Sequence, residues 1–305
     1  TLTHLPNITF SPRRACGKNA RASIQTTISA AFFALVAFMP GTGQALPKAE
    51  PVPGGVALIR LGEISAHPKA PRAWFGERQV LVASDAGQWV AVVGLPLDLK
   101  TGSQELLIGE GATQKALRFE VDDKRYPEQR ITLKDSSKVN LAPADEERAT
   151  REIAAIQQLK RHWRDAADTE TAFQLPAEGR LASRFGLRRI FNGEARAPHS
   201  GLDVAVPRGT PIKAAAQGKI LATGDYFFNG KTVFIDHGNG LISMYCHLDR
   251  IDVQSGDQVT QGQRVGLAGS TGRSSGPHLH WSVVLNGTMV DPELFLVAEQ
   301  KAKKP

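Results

Sequence analysis

Short apolar runs broken by Gly, Pro, Asp and Lys clusters dominate the first half of the chain. Between Gly54 and about Leu133 they are Val56-Ala-Leu-Ile-Arg-Leu61, Gln79-Val-Leu-Val-Ala83, Trp89-Val-Ala-Val-Val93, Glu105-Leu-Leu-Ile108 and Ala116-Leu-Arg-Phe-Glu-Val121. Runs of this length and spacing predict the strands of a small β-sandwich. The period then changes. Ile153, Ile156, Leu159 and Trp163 recur three to four residues apart with Glu and Arg between them, which predicts a helix over 145–166, and Pro143 sits near its start. From Gln174 alternation returns in the runs 212–220, 232–236, 241–247 and 279–285, and Asn286-Gly287 ahead of Met289-Val290 is a hairpin signal. The expected fold is mostly β: a small sandwich over 46–140, a helical connector over 141–173, an antiparallel β-rich domain over 174–298 and a basic tail over 299–305.

Composition refines this picture at the N-terminus. The 305 residues are 41% hydrophobic and 22% charged, an ordinary globular balance that excludes a wholly disordered chain. Four of the 37 basic residues, Arg13, Arg14, Lys18 and Arg21, fall in the first 45 positions with no acid among them. The remainder is therefore close to balanced, which gives no support to nucleic-acid binding. The basic start is followed by the apolar stretch 28–39, then Gly43-Gln44-Ala45, small residues suited to signal-peptidase cleavage near Ala45. Residues 1–45 are thus expected to be a signal peptide, touching a membrane only in transit, and the protein to reach the periplasm or cell envelope. Of the two cysteines, Cys16 would leave with the leader, so Cys246 has no partner for an internal disulfide and is expected to be a buried small hydrophobe on the strand face opposite its neighbour His247.

Five of the eight histidines lie between 199 and 280. In His278-Leu-His280 two imidazoles two residues apart on a strand face the same way. In His199-Ser-Gly-Leu-Asp203 a histidine and a carboxylate can converge, with Gly201 allowing a tight path. Imidazoles plus a carboxylate suit Zn²⁺, which at catalytic sites takes three protein ligands and keeps one position for water. His237 in a turn, His67 in a loop and His162 on the helix are expected to be structural or solvated.

The order and spacing of several motifs go further. Ser183-Arg-Phe-Gly186, His199-Ser-Gly-Leu-Asp203, Gly209-Thr-Pro-Ile212, His237-Gly-Asn-Gly240, Tyr245-Cys-His-Leu248, Gly269-Ser-Thr-Gly272 and Gly276-Pro-His-Leu-His-Trp281 together span residues 180–295. This stretch resembles the lysostaphin/LytM-type zinc metallopeptidases, which cut peptide bonds in peptidoglycan. The resemblance implies one Zn²⁺ per chain held by His199, Asp203 and His280, with His247 and His278 as the catalytic pair acting on peptidoglycan stem peptides. The region before it resembles, more loosely, β-sandwich modules that precede such domains in Gram-negative envelope proteins, and an envelope protein partner is a further expectation for it.

Three other readings compete. Gly272-Arg-Ser-Ser-Gly276 matches the Gly-x-Ser-x-Gly of serine hydrolases, but Pro277 and a strand-like run follow where that motif needs a helix. The run 253–263 resembles a lipoyl-type carrier turn, but no Lys lies between 232 and 300. A non-catalytic regulator that activates a cell-wall amidase is the non-enzyme alternative, and retention of all three ligands and both extra histidines argues against it.

Overall fold

The computed structural model describes residues 45–131, 142–167, 169–191, 194–195 and 197–297. The expected leader up to residue 44 and the basic tail lie outside the described residues, as does 132–141. The strands run in chain order β1 (Val56–Glu63), β2 (Ala73–Phe75), β3 (Arg78–Gln79), β4 (Leu81–Asp85), β5 (Gln88–Gly94), β6 (Gly102–Ile108), β7 (Lys115–Val121) and β8 (Glu128–Ile131). After helix α1 (Pro143–Lys160) come β9 (Arg180–Ser183), β10 (Arg188–Phe191), β11 (Glu194–Ala195), β12 (Leu202–Ala205), β13 (Pro211–Lys213) and β14 (Gly218–Tyr226). The last are β15 (Gly230–Gly238), β16 (Leu241–Ile251), β17 (Gln258–Val259), β18 (Arg264–Ala268), β19 (Leu279–Leu285) and β20 (Thr288–Val290). The mostly β fold class is as expected.

The N-terminal region holds a three-stranded sheet, β1-β5-β4, and a four-stranded one, β3-β2-β6-β7. Ala57, Ile59, Ala91 and Val93 of the first pack with Ala73, Leu106 and Val121 of the second, which makes the sandwich. The opposite face of the first sheet is buried too. Val56, Leu81, Ala83 and Val92 share one apolar cluster with Leu202, Val204, Val283 and Leu285 of the large sheet. A strand buried on both faces carries apolar residues at successive positions, as 56–59 and 90–93 do. The stretches expected as separate domains over 46–140 and 174–298 therefore pack around a common core. Parallel pairing of β8 with β10 joins them again, as does Asn286. The carboxamide of Asn286 accepts from the Gly94 amide at 2.6 Å and donates to the Gly94 carbonyl at 3.1 Å.

The large sheet has ten strands, in the order β17-β14-β15-β16-β19-β12-β9 with β13, β18 and β20 paired at its margins. One face of β16 and β19 enters the shared core through Leu241, Tyr245, Trp281 and Val283. On the other face Ile242, Met244, Cys246 and Val284 are covered by Ile156 and Leu159 of α1. The helix differs from expectation in two ways. It ends at Lys160, not 166, because the amides of Arg161 and His162 turn back to carbonyls three residues earlier, at Gln158 and Leu159. Ile153 is 47% exposed, so the buried stripe runs through Ala149, Ile156 and Leu159. The run expected as one strand over 212–220 is two, β13 and β14. Between them the Ala215 amide bonds to the Tyr245 hydroxyl at 2.8 Å instead of continuing a ladder.

Candidate metal centre

Two strands and the segment leading into one of them bring the candidate ligands together. Asp203 on β12 lies directly across from His280 on β19, so their side chains leave the sheet side by side. His199 comes from the segment before β12, which lies tightly on β19. A Cβ at Gly201 would stand 2.6 Å from the Trp281 carbonyl and 2.8 Å from Cε1 of His280, so only glycine lets this segment approach so closely. Gly201 matters for close approach rather than for a turn.

The donor atoms form a nearly equilateral triangle. His199 Nε2 is 3.0 Å from Asp203 Oδ1 and 3.0 Å from His280 Nδ1, and His280 Nδ1 is 2.9 Å from Asp203 Oδ1. Four tetrahedral ligands on arms of 2.0–2.1 Å stand about 3.3 Å apart, so the triangle is close to one face of such a shell. Proton placement supports the same fit. His199 Nδ1 lies 2.9 Å from the Arg184 carbonyl, which can only accept, so it carries the ring proton and leaves Nε2 with a lone pair facing the triangle. Lone pairs gathered at 3 Å need a positive centre among them. His199, Asp203 and His280 could hold a metal ion, and their chemistry fits zinc. The group is enclosed: His199 and Asp203 are each 8% exposed. Burial alone would raise the Asp203 carboxyl, but the His199 and His280 side chains against it outweigh burial and hold the carboxyl well below the usual carboxylate range. Burial also lowers His280 from the ordinary imidazole value.

Two further imidazoles stand beside the triangle. His278, just ahead of β19, places Nε2 3.7 Å from Asp203 Oδ1 and its Nδ1 2.8 Å from the Gly276 carbonyl. His247 has its ring centroid 4.8 Å from that of His278 and 6.0 Å from that of His280. Its Nδ1 lies 2.8 Å from the Thr271 carbonyl, so His247 and His278 repeat the tautomer of His199, with Nδ1 tied to backbone and Nε2 free to work. Burial pushes His247 down to about 4, against the Thr271 bond that favours its charged form, so the ring is neutral at pH 7.

Strict alternation along β16 would send His247 to the face opposite His280. The backbone prevents this. His247 has φ +62, and the pairing with β15 slips between Lys231 and Val233, leaving Cys246 and His247 opposite Thr232 alone. This bulge re-aims His247 toward the site. It also corrects the expectation for Cys246, which pairs directly with His280 and so belongs to the same side of the sheet as His247's ring. Cys246 is buried as expected, its thiol pushed up to about 11 by burial.

The remaining histidines are outside the triangle as expected, but His237 lies within β15 instead of a turn and His162 lies beyond the end of α1. His237 is buried and bonded at both nitrogens, to the Gln217 carbonyl at 2.6 Å and to Ser243 Oγ at 2.8 Å. His162 is near Asp236 at 3.5 Å, and His67 offers its carbonyl to Trp89. Ser274 of the rejected serine motif bonds to the Gly276 carbonyl at 2.7 Å and lies in a loop followed by β19, not by a helix. The backbone carbonyls of Arg184, Thr271 and Gly276, which fix three imidazoles, were not found from the sequence. Carbonyls carry no residue signature, and only the motif context of Ser183–Gly186 and Gly269–Thr271 hinted at them.

Comparisons with known proteins follow the same division of the chain. The profile of "Peptidase family M23" matches residues 197–292, and that of "Peptidase family M23 N-terminal domain" matches 49–124. Peptidoglycan DD-endopeptidase ShyA of Vibrio cholerae is 40% identical over 126 residues, covering 40% of this chain and 29% of that protein. DD-carboxypeptidase/endopeptidase Mpg of Neisseria meningitidis serogroup B is 41% identical over 113 residues, covering 37% of this chain and 26% of that protein. The chain thus matches less than a third of the length of these curated relatives. A crystal structure of a putative peptidase M23 from Pseudomonas aeruginosa is 42% identical with TM-score 0.68, covering 81% of this chain and 95% of that one. With that relative matched almost end to end, and both family profiles placed in the order the strands follow, the chain belongs to peptidase family M23.

Proposed function

We propose that the chain is a zinc-dependent endopeptidase that hydrolyses peptide cross-links of bacterial peptidoglycan. The triangle of His199, Asp203 and His280, with the imidazoles of His247 and His278 beside it, carries this reading. Bound to those three residues, zinc supplies a Lewis acid that acidifies a water and polarises a carbonyl. The chain's own contribution is to orient and to move protons. Asp203 stays ionised and balances the positive charge of the site. His247 and His278 present Nε2 lone pairs, so one of them takes up the proton of the attacking water, and the imidazolium formed can then donate to the oxyanion or the departing amine. The carbonyls of Thr271 and Gly276 hold both rings in the tautomer that this work requires.

The names of the relatives support the D,D type of cross-link over a glycine bridge, and they support a site of action in the cell envelope, reached through residues 1–45 as a cleaved leader. The complete donor set disfavours the amidase-regulator reading. Digestion of purified diaminopimelate-type peptidoglycan, with mass analysis of the fragments, tests the proposal. Loss of cross-linked dimers, abolished by a chelator and restored by zinc, is the expected result. Intact dimers after incubation with zinc-loaded protein, together with stimulation of an amidase, would overturn it.

A further inference from the structure

A cleft of about 670 Å³ opens between the three-stranded N-terminal sheet and the segment that follows α1. That volume is typical of small-molecule sites. The cleft reaches the large sheet at Asn239, in the turn between β15 and β16. His247 is eight residues further along β16, so at about 3.3 Å per residue the cleft is some 25 Å from the metal ligands. It belongs to a different part of the molecule.

Two tryptophans line it, and both have their polar atom already engaged. Trp89 Nε1 donates to the His67 carbonyl at 2.6 Å, and Trp163 Nε1 donates to Asp165 Oδ1 at 2.8 Å. What each half-buried indole still offers is ring surface. Trp163 is braced from behind: a Cβ at Gly240, where φ is +74, would lie 2.9 Å from its Cε3 and Cζ3, so the ring rests on bare backbone. Ser84 is the direct cross-strand neighbour of Trp89 and also lines the cleft, with Gln79 and Lys69 nearby. Among the described residues, the side chains of Gln79, Ser84 and Lys69 make no hydrogen bond. The cleft thus combines rigid aromatic surface with uncommitted hydroxyl, carboxamide and ammonium groups.

This combination matches a pyranose ring, whose C–H groups lie against aromatic faces while hydroxyls and acetamido groups project at the edge toward short polar side chains. We propose that the cleft binds the glycan strand of peptidoglycan, with N-acetylated hexosamine units stacked on Trp89 and Trp163. The choice of glycan rests on the reading that peptidoglycan is the substrate. The cleft would hold the strand while the distant metal site works on its peptides.

The test is calorimetric titration of the full chain with a tetramer of N-acetylglucosamine and with peptide-free glycan strands, alongside hydrolysis of a sugar-free cross-linked peptide dimer. Saturable glycan binding is expected, weakened at least tenfold in Trp163→Ala and several-fold in Gln79→Ala, with dimer hydrolysis unchanged in both. Gln79 is on a short strand and its side chain has no bonded partner, so that variant stays informative if Trp163→Ala does not fold. No saturable binding by the wild type, or equal binding by the variants, would overturn the inference. Cleavage of the dimer without glycan binding removes this inference and leaves the endopeptidase reading intact. Glycan binding without any cleavage does the reverse.

Discussion

Replacing Asn286 with alanine tests how the two β regions are held. The Asn286 side chain is 4% exposed and meets both backbone groups of Gly94, a residue 192 positions away. Gly94 is beyond the last residue of β5 that pairs with β4, so no strand is available to take the Asn286 side of it. Alanine would leave a buried amide and a buried carbonyl without partners, at about 1–3 kcal/mol each. It would also force a Cβ residue other than asparagine to hold φ +41, worth about 1 kcal/mol more. The expected loss is about 3–7 kcal/mol, a large share of the 5–15 kcal/mol that typically separates folded from unfolded protein. Scanning calorimetry should show Tm falling on the order of 10 °C. Asn286→Gly separates the two contributions, since it relieves the backbone and still orphans Gly94, so it should recover only about 1 kcal/mol. Asn286→Asp keeps the acceptor for the Gly94 amide and turns a second oxygen on its carbonyl, so it should be no better than alanine. A loss below about 1 kcal/mol for the alanine variant would refute this account of the contact.

Three further outcomes are expected. His280→Ala should lose both bound zinc and activity, whereas His247→Ala should keep close to one zinc and lose about 10²–10⁴-fold in kcat, as measured by metal analysis and dimer hydrolysis; near wild-type turnover of the second variant would remove His247 from proton transfer. Burial, with the Glu293 charge adding to it, raises Asp291 to about 6, so the folded state holds a proton that the unfolded state releases between about pH 4 and 6. Stability should therefore fall as pH rises through that window. Asp291→Asn, which can still accept from the Glu293 amide, should match wild type near pH 4 and exceed it above pH 7 by up to about 3 kcal/mol, read as a pH-dependent Tm difference. Cys246, buried with its thiol near 11, should resist thiol reagents in the folded protein and react at once in denaturant.

The elements were legible where the pattern is local. The runs at 56, 89, 241 and 279 became β1, β5, β16 and β19, and Asn286-Gly287 became the turn between β19 and β20, both residues with positive φ. The ligand set was legible because two short motifs and a Gly framework bring it together. What escaped depends on partners far away in sequence. The helix was drawn too long because Trp163 continues the apolar spacing, yet Trp163 packs on Gly240 beyond the helix end. Cys246 was put on the face opposite His247 because alternation assumes a regular strand, and the bulge opposite Thr232 is a property of the pairing with β15. Gly94 and Asn286 carry no mutual signature, since their contact forms only after both sheets exist.

The core shared by Val56, Leu81, Ala83 and Val92 with Leu202, Val204 and Leu285 constrains how such a gene can be recombined. Severing the chain between the two profiles would yield two pieces that each display a raw apolar wall. Co-expressed, they should find each other and rebuild the shared core. Transplanted singly into another chain, the C-terminal half would need a substitute cover with the same contour along that wall.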